Sequence, residues 1–124
     1  MDDTYFIVVD LEIKSRSDLS PIVDSFGDDA IVMYSGKWGR FYLAAFEISA
    51  EGGANENIKL FCRLIECLDE EAKKLWDESY SKIFDVGFQC GGDKSSHRTI
   101  IEQSVIQAVS SLGATIGVTI YPNK

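Results

Sequence analysis

The chain has 124 residues, 45% of them apolar, and sets twenty acidic side chains against twelve basic ones for a net charge of −8. A chain of this length buries roughly two-thirds of its unfolded surface, so residues 1–124 make one domain without help from disulfides or a structural metal. The charge argues against nucleic-acid and anionic membrane partners, whose phosphates would be repelled, and the longest apolar run, Tyr5–Val9, is too short to span a bilayer.

Tyr5–Lys14 is β-branched and aromatic, with Val9, Leu11 and Ile13 on one face and Asp10 and Glu12 on the other, the alternation of a half-buried strand. Ser17-Asp18-Leu19-Ser20-Pro21 is a helix start, with a Ser or Asp cap and proline in the first turn. Leu19, Ile22, Val23 and Phe26 follow at helical spacing and Gly27 stops them. Ala30–Tyr34 and Arg40–Ile48 read as strands joined through the glycine-bracketed turn Ser35–Gly39, which carries Trp38. Glu51–Asn55 is a loop. From Glu56 the period turns helical: Ile58, Phe61, Ile65, Leu68, Ala72, Leu75 and Trp76 form one stripe, and Asp69-Glu70-Glu71 is a second helix start within it. Lys82–Cys90 alternates, with Phe84, Val86, Phe88 and Cys90 inward. Gly91–Ser96 is a polar loop, Thr99–Leu112 a helix stopped by Gly113, and Ala114–Tyr121 a last strand with Ala114, Ile116, Val118 and Ile120 inward.

This β-α-β-β-α-β-α-β order predicts an α+β domain, a two-layer α/β sandwich with helices on one face of the sheet. Its first six elements have the βαββαβ order of a ferredoxin-like core, extended by one helix and one strand.

No complete catalytic set emerges, and the chain reads as a non-enzyme. His97 is the single histidine and Cys90 lies seven residues before it, but a thiol on the apolar face of a strand is inert. Gly91-Gly92-Asp93-Lys94-Ser95 lacks the glycine spacing of a phosphate-binding loop and places an aspartate where phosphate would sit. One histidine and three scattered cysteines do not make a zinc site. Cys62 and Cys67 fall on different helix faces, and Asp69-Glu70-Glu71 lacks the ligand alternation of a calcium loop. No metal or cofactor is expected. The odd cysteine count without a C-x-x-C pair, and an opening Met1-Asp2-Asp3-Thr4 without a basic leader, predict reduced thiols in the cytoplasm.

Carboxylates crowd the second helical region: Glu66, Asp69, Glu70, Glu71, Asp77 and Glu78, offset by Lys73, Lys74 and Lys82. The plain reading is a solvated face, with Glu70 spaced for helical pairs to Lys73 and Lys74. The functional reading is an acidic patch that docks on a basic protein, with Trp38 as an exposed aromatic anchor and Trp76 in the core.

Phe84-Asp85-Val86-Gly87-Phe88, Leu112-Gly113-Ala114 and Thr119-Ile120-Tyr121, preceded by Leu75-Trp76, resemble a family of small bacterial domains that includes immunity-like proteins of contact-dependent and polymorphic toxin systems. The resemblance covers Ile58 to Tyr121. It implies a cytosolic protein that binds one cognate toxin domain, often a basic nuclease, and blocks it. It carries over no catalytic motif and no contact residue.

Two other readings stand beside this one. A small-ligand or enzymatic site above the sheet would draw on Tyr42, Asp85, Gln89 and His97. A structural homo-oligomer, possible as a homodimer, would cover an open strand edge or a face bearing Phe6, Val8, Tyr42, Phe46 and Ile48.

Overall fold

The computed structural model describes residues 3–49, 51–92 and 96–123. Five strands form one mixed sheet, β1 (Tyr5–Ser15), β2 (Ile31–Trp38), β3 (Phe41–Glu47), β4 (Ser81–Gln89) and β5 (Thr115–Tyr121), and four helices accompany it, α1 (Ser20–Phe26), α2 (Ala54–Glu66), α3 (Glu70–Glu78) and α4 (Gln103–Ser111). The spatial order is β2-β3-β1-β4-β5. The first four strands pair antiparallel, and β5 joins β4 in parallel. The expected α+β sandwich is present: strands β4-β1-β3-β2 carry the ferredoxin-like arrangement, and α4 with β5 extends it at one edge. The β4–β5 pair is parallel because a helix, not a tight turn, joins its two strands.

One face of the sheet is apolar and lies under the helices. Val9, Leu11 and Ile13 of β1, Ala44 and Phe46 of β3, and Phe84, Val86 and Phe88 of β4 meet Ile22 and Phe26 of α1, Ile58, Phe61 and Ile65 of α2, and Trp76 of α3. Fully burying each of these larger side chains contributes roughly 1.5–3 kcal/mol. Trp76 is wholly buried, and its Nε1–H donates to the Leu112 carbonyl at 2.9 Å, so the end of α4 is fastened to α3. Lys82 approaches the same ring at 5.4 Å and donates to the Trp76 carbonyl at 3.1 Å, which places a cation at the negative end of α3.

Local chemistry sets the helix ends. Asp18 accepts from the Ser20 N–H at 2.8 Å, just ahead of Pro21 in the first turn of α1. The stripe from Glu56 to Trp76 is two helices: Leu68 packs inward between them, and Asp69 caps α3 by accepting from the Ala72 N–H at 2.9 Å. The helix expected from Thr99 begins only at Gln103. Asn55 holds the preceding residues extended, donating to the Ile100 carbonyl at 2.8 Å and accepting from the Glu102 N–H at 2.9 Å.

The hairpin is tighter than expected. β2 runs to Trp38, which pairs with Phe41 across the two-residue turn Gly39-Arg40. Gly39 has φ +66°, a left-handed conformation that glycine takes without strain. No helix among the described residues is long and apolar enough to cross a membrane.

Candidate binding surface

The helix-free face of the sheet is open, and the strand registers fix what stands on it. Asp10 is directly opposite Asp85 on β4. On the other side, the register that pairs Leu11 with Phe46 brings Glu47 of β3 beside Asp10 one step further along. Three carboxylates thus stand in a row across three adjacent strands, and Glu12 lies on the same face, opposite Ala45 and Ile83. Like charges opposite one another in a sheet are destabilising, so this row is a feature the fold carries at a cost.

The electrostatics follow from that crowding. Partial burial pushes the Asp10 carboxyl up to about 7, aided by a hydrogen bond with Glu47 and by the charges of Glu47, Asp85 and Glu12. Asp85 is held differently: the Thr119 hydroxyl lies 2.8 Å and 2.9 Å from its two oxygens. Burial raises the Tyr121 phenol above its ordinary value, and the charges of Asp10, Asp85, Glu12 and Glu47 add to the shift. The Tyr121 ring reaches this row because position 87 is glycine: a Cβ there would sit 3.2 Å from the ring and 3.4 Å from the Val8 carbonyl.

Exposed aromatics stand at the hairpin end of the same face, beyond Lys14 and Leu43 from the carboxylate row. Tyr34 packs edge-on against Trp38 at 5.8 Å, and Phe41 against Tyr80 at 4.9 Å. Trp38 is 59% exposed, as an anchor residue requires. It stands at the end of β2 on the helix-free face, not within a loop.

The carboxylates foreseen from sequence lie elsewhere. Glu66 ends α2, and Glu70, Glu71, Asp77 and Glu78 are exposed on α3, on the helical side of the sheet. Asp69 is engaged as the α3 cap. Lys73 pairs with Asp77 at 2.9 Å, not with Glu70. The structure therefore does not bring Trp38 together with the α3 carboxylates, and these seven residues form two surfaces. Asp10, Glu12, Glu47 and Asp85 were not foreseen as a group. Their signal was carboxylates in strand interiors, where acidic residues are depleted, but strand order was needed to make them neighbours.

The residues of the alternative ligand site are also dispersed. Asp85 and Gln89 are on the open face, and Gln89 donates to the Pro122 carbonyl at 3.1 Å. Tyr42 is opposite Ser15 on the helical side. His97 lies beyond β4, its ring 5.1 Å from that of Phe88. There it lines a cavity of about 390 Å³ with Thr4, Phe88, Cys90, Thr99, Val118 and Ile120. Asp93, Lys94 and Ser95 of the adjoining polar loop lie outside the described residues. Among the described residues no three histidine, cysteine or acidic side chains are grouped to hold a metal ion. Of the surfaces foreseen for an oligomer, Phe46 and Ile48 are buried in the core, and Phe6 and Tyr42 pack partly against it.

No protein-family model matches the chain, and no curated protein or solved structure is detectably similar to it.

Proposed function

We propose that this chain is an acidic binding module for a basic protein, acting as an immunity protein that covers the active site of a cognate bacterial toxin domain in the cytoplasm. The observation that carries the binding reading is the row Glu47–Asp10–Asp85 with Glu12 on an open sheet face whose hairpin end carries exposed aromatics. Such a row offers an arginine or lysine several acceptors at once, and a cation inserted there would relieve the mutual repulsion of the carboxylates. Tyr34, Trp38, Phe41 and Tyr80 supply the amphipathic contact area that interface centres favour. The net charge of −8 would speed encounter with a cationic surface. The immunity assignment rests on the sequence resemblance and on this charge, and it makes the activity one of occlusion, not catalysis.

The test is association kinetics with the protein domain that the adjacent gene encodes, whatever its sequence. The reading expects a fast on-rate that falls steeply between low and physiological salt. Replacing Asp10, Glu12, Glu47 and Asp85 by their amides should slow association and flatten the salt dependence. Replacing Glu70, Glu71, Asp77 and Glu78 should do less. Kinetics that respond only to the α3 variant would move the interface to the helices.

A further inference from the structure

We infer that β2 is a self-complementary edge through which two copies of this chain pair antiparallel about a two-fold axis. β2 is the outermost strand beside β3, so its outer row of backbone N–H and C=O groups has no strand partner within the sheet. Edges of this kind are normally blunted by charges, prolines, bulges or a covering element; β2 has one such device in its ladder, the irregularity at Met33. Between Ile31 and Trp38 there is one charged residue, Lys37, and no proline. Ile31, Val32, Met33, Tyr34 and Trp38 are all exposed, Met33 to 55%.

The charges at the two ends of the strand select the occupant. Asp28 and Asp29, both exposed, form the 3-10 turn that leads into β2. Lys37 is the penultimate residue of the strand and Arg40 sits in the following turn; both are exposed. The edge is therefore negative at its start and positive at its end. Two copies laid antiparallel match opposite signs at both ends, whereas a parallel pairing would oppose like signs. With the axis at Met33, Ile31–Ser35 of the two copies overlap, and the Lys37–Arg40 end of each lies toward the Asp28–Asp29 turn of the other. Met33 is also where the β2–β3 register shifts, between Val32 and Tyr34, so it is the residue that β3 leaves out of its ladder. At physiological salt, charges more than about 8 Å apart are largely screened, so these local pairs count for more than the repulsion of two acidic chains. A uniformly basic extended segment would gain at the Asp28–Asp29 end and lose at Lys37. The pattern favours a second copy.

The experiment is sedimentation velocity in physiological salt, from about 1 µM to about 500 µM, a span that captures weak dimers. It needs no toxin-like partner, so its outcome is separate from that of the binding reading. Two variants are compared with the unaltered chain: Lys37→Glu with Arg40→Glu, and Asp28→Lys with Asp29→Lys. The unaltered chain should dimerise with rising concentration, and each variant alone should dimerise at least about tenfold more weakly, since each sets like charges together twice. An equimolar mixture of the two variants should restore a one-to-one dimer, which also shows that both are folded. The inference is overturned if the unaltered chain stays monomeric throughout, if either variant dimerises as well as it does, or if the mixture remains monomeric.

Discussion

Asp10→Asn should stabilise the protein at pH 8. The replacement keeps the shape of the side chain and removes the middle charge of the Glu47–Asp10–Asp85 row. Burial and those neighbours hold the Asp10 carboxyl at about 7, against an ordinary value of 3.8. A change of that size would be worth roughly 4 kcal/mol if none of it were screened. Asp10 is only partly buried, and screening by the solvent that reaches it reduces the figure to about 1–2 kcal/mol. The sign follows from linkage. The folded state holds this proton more tightly than the unfolded state, so the folded protein has its full advantage below the unfolded value and loses it as pH rises through about 7. Asparagine has no proton to lose. The gain from the substitution should therefore be about 1–2 kcal/mol at pH 8 and shrink toward zero by about pH 4. Urea denaturation of both proteins across that range, followed by circular dichroism, measures the difference directly. A substitution that destabilises at pH 8, or whose effect is the same at every pH, would refute the idea that the row is under electrostatic strain.

Other consequences follow from the same contacts. Thr119→Val removes the hydroxyl between the two Asp85 oxygens and should cost about 1 kcal/mol at pH 8 in the same denaturation assay. Asp69→Ala removes the α3 cap and should also cost about 1 kcal/mol, with Lys73–Asp77 left intact. Trp76→Ala opens a cavity at the centre of the core and should cost about 3–5 kcal/mol in the same assay. Thiol labelling at pH 8 should rank the cysteines. Cys67 is exposed, Cys90 partly so and Cys62 buried, with burial pushing the Cys62 thiol up to about 11. Cys67 should react first and Cys62 only on unfolding; early labelling of Cys62 would contradict the packing of α2.

Much of the fold was legible in the sequence because periodicity reports burial. The alternation in β1 and β4 assigned Val9, Leu11, Ile13, Phe84, Val86 and Phe88 to the core correctly, and the helical stripe placed Trp76 there. The same periodicity could not give the tertiary context that tuned the details. Thr99–Glu102 is held out of α4 by Asn55, a contact across more than forty residues. Val118 and Ile120 face the helical side, as their alternation indicated, yet each is 62% exposed because they stand on an edge strand at the margin of the helical layer. The carboxylate row was legible only in part. Alternation put Asp10, Glu12 and Asp85 on the polar faces of their strands, but neighbours across a sheet follow from strand order, which no local pattern encodes. The consecutive acids of α3 are conspicuous in sequence but in space are mostly solvated helix surface.

A growth assay tests most directly the proposal that the open acidic face binds and silences a basic toxin domain. The domain encoded by the adjacent gene would be expressed in a bacterial host alone, with this protein, and with the variant in which Asp10, Glu12, Glu47 and Asp85 are amides. Arrest by the domain alone, rescue by the unaltered protein and failed rescue by the folded variant is the predicted result. A harmless neighbour, or an arrest that this protein does not relieve, would contradict the immunity reading, and full rescue by the variant would contradict the assignment of the open sheet face as the binding surface.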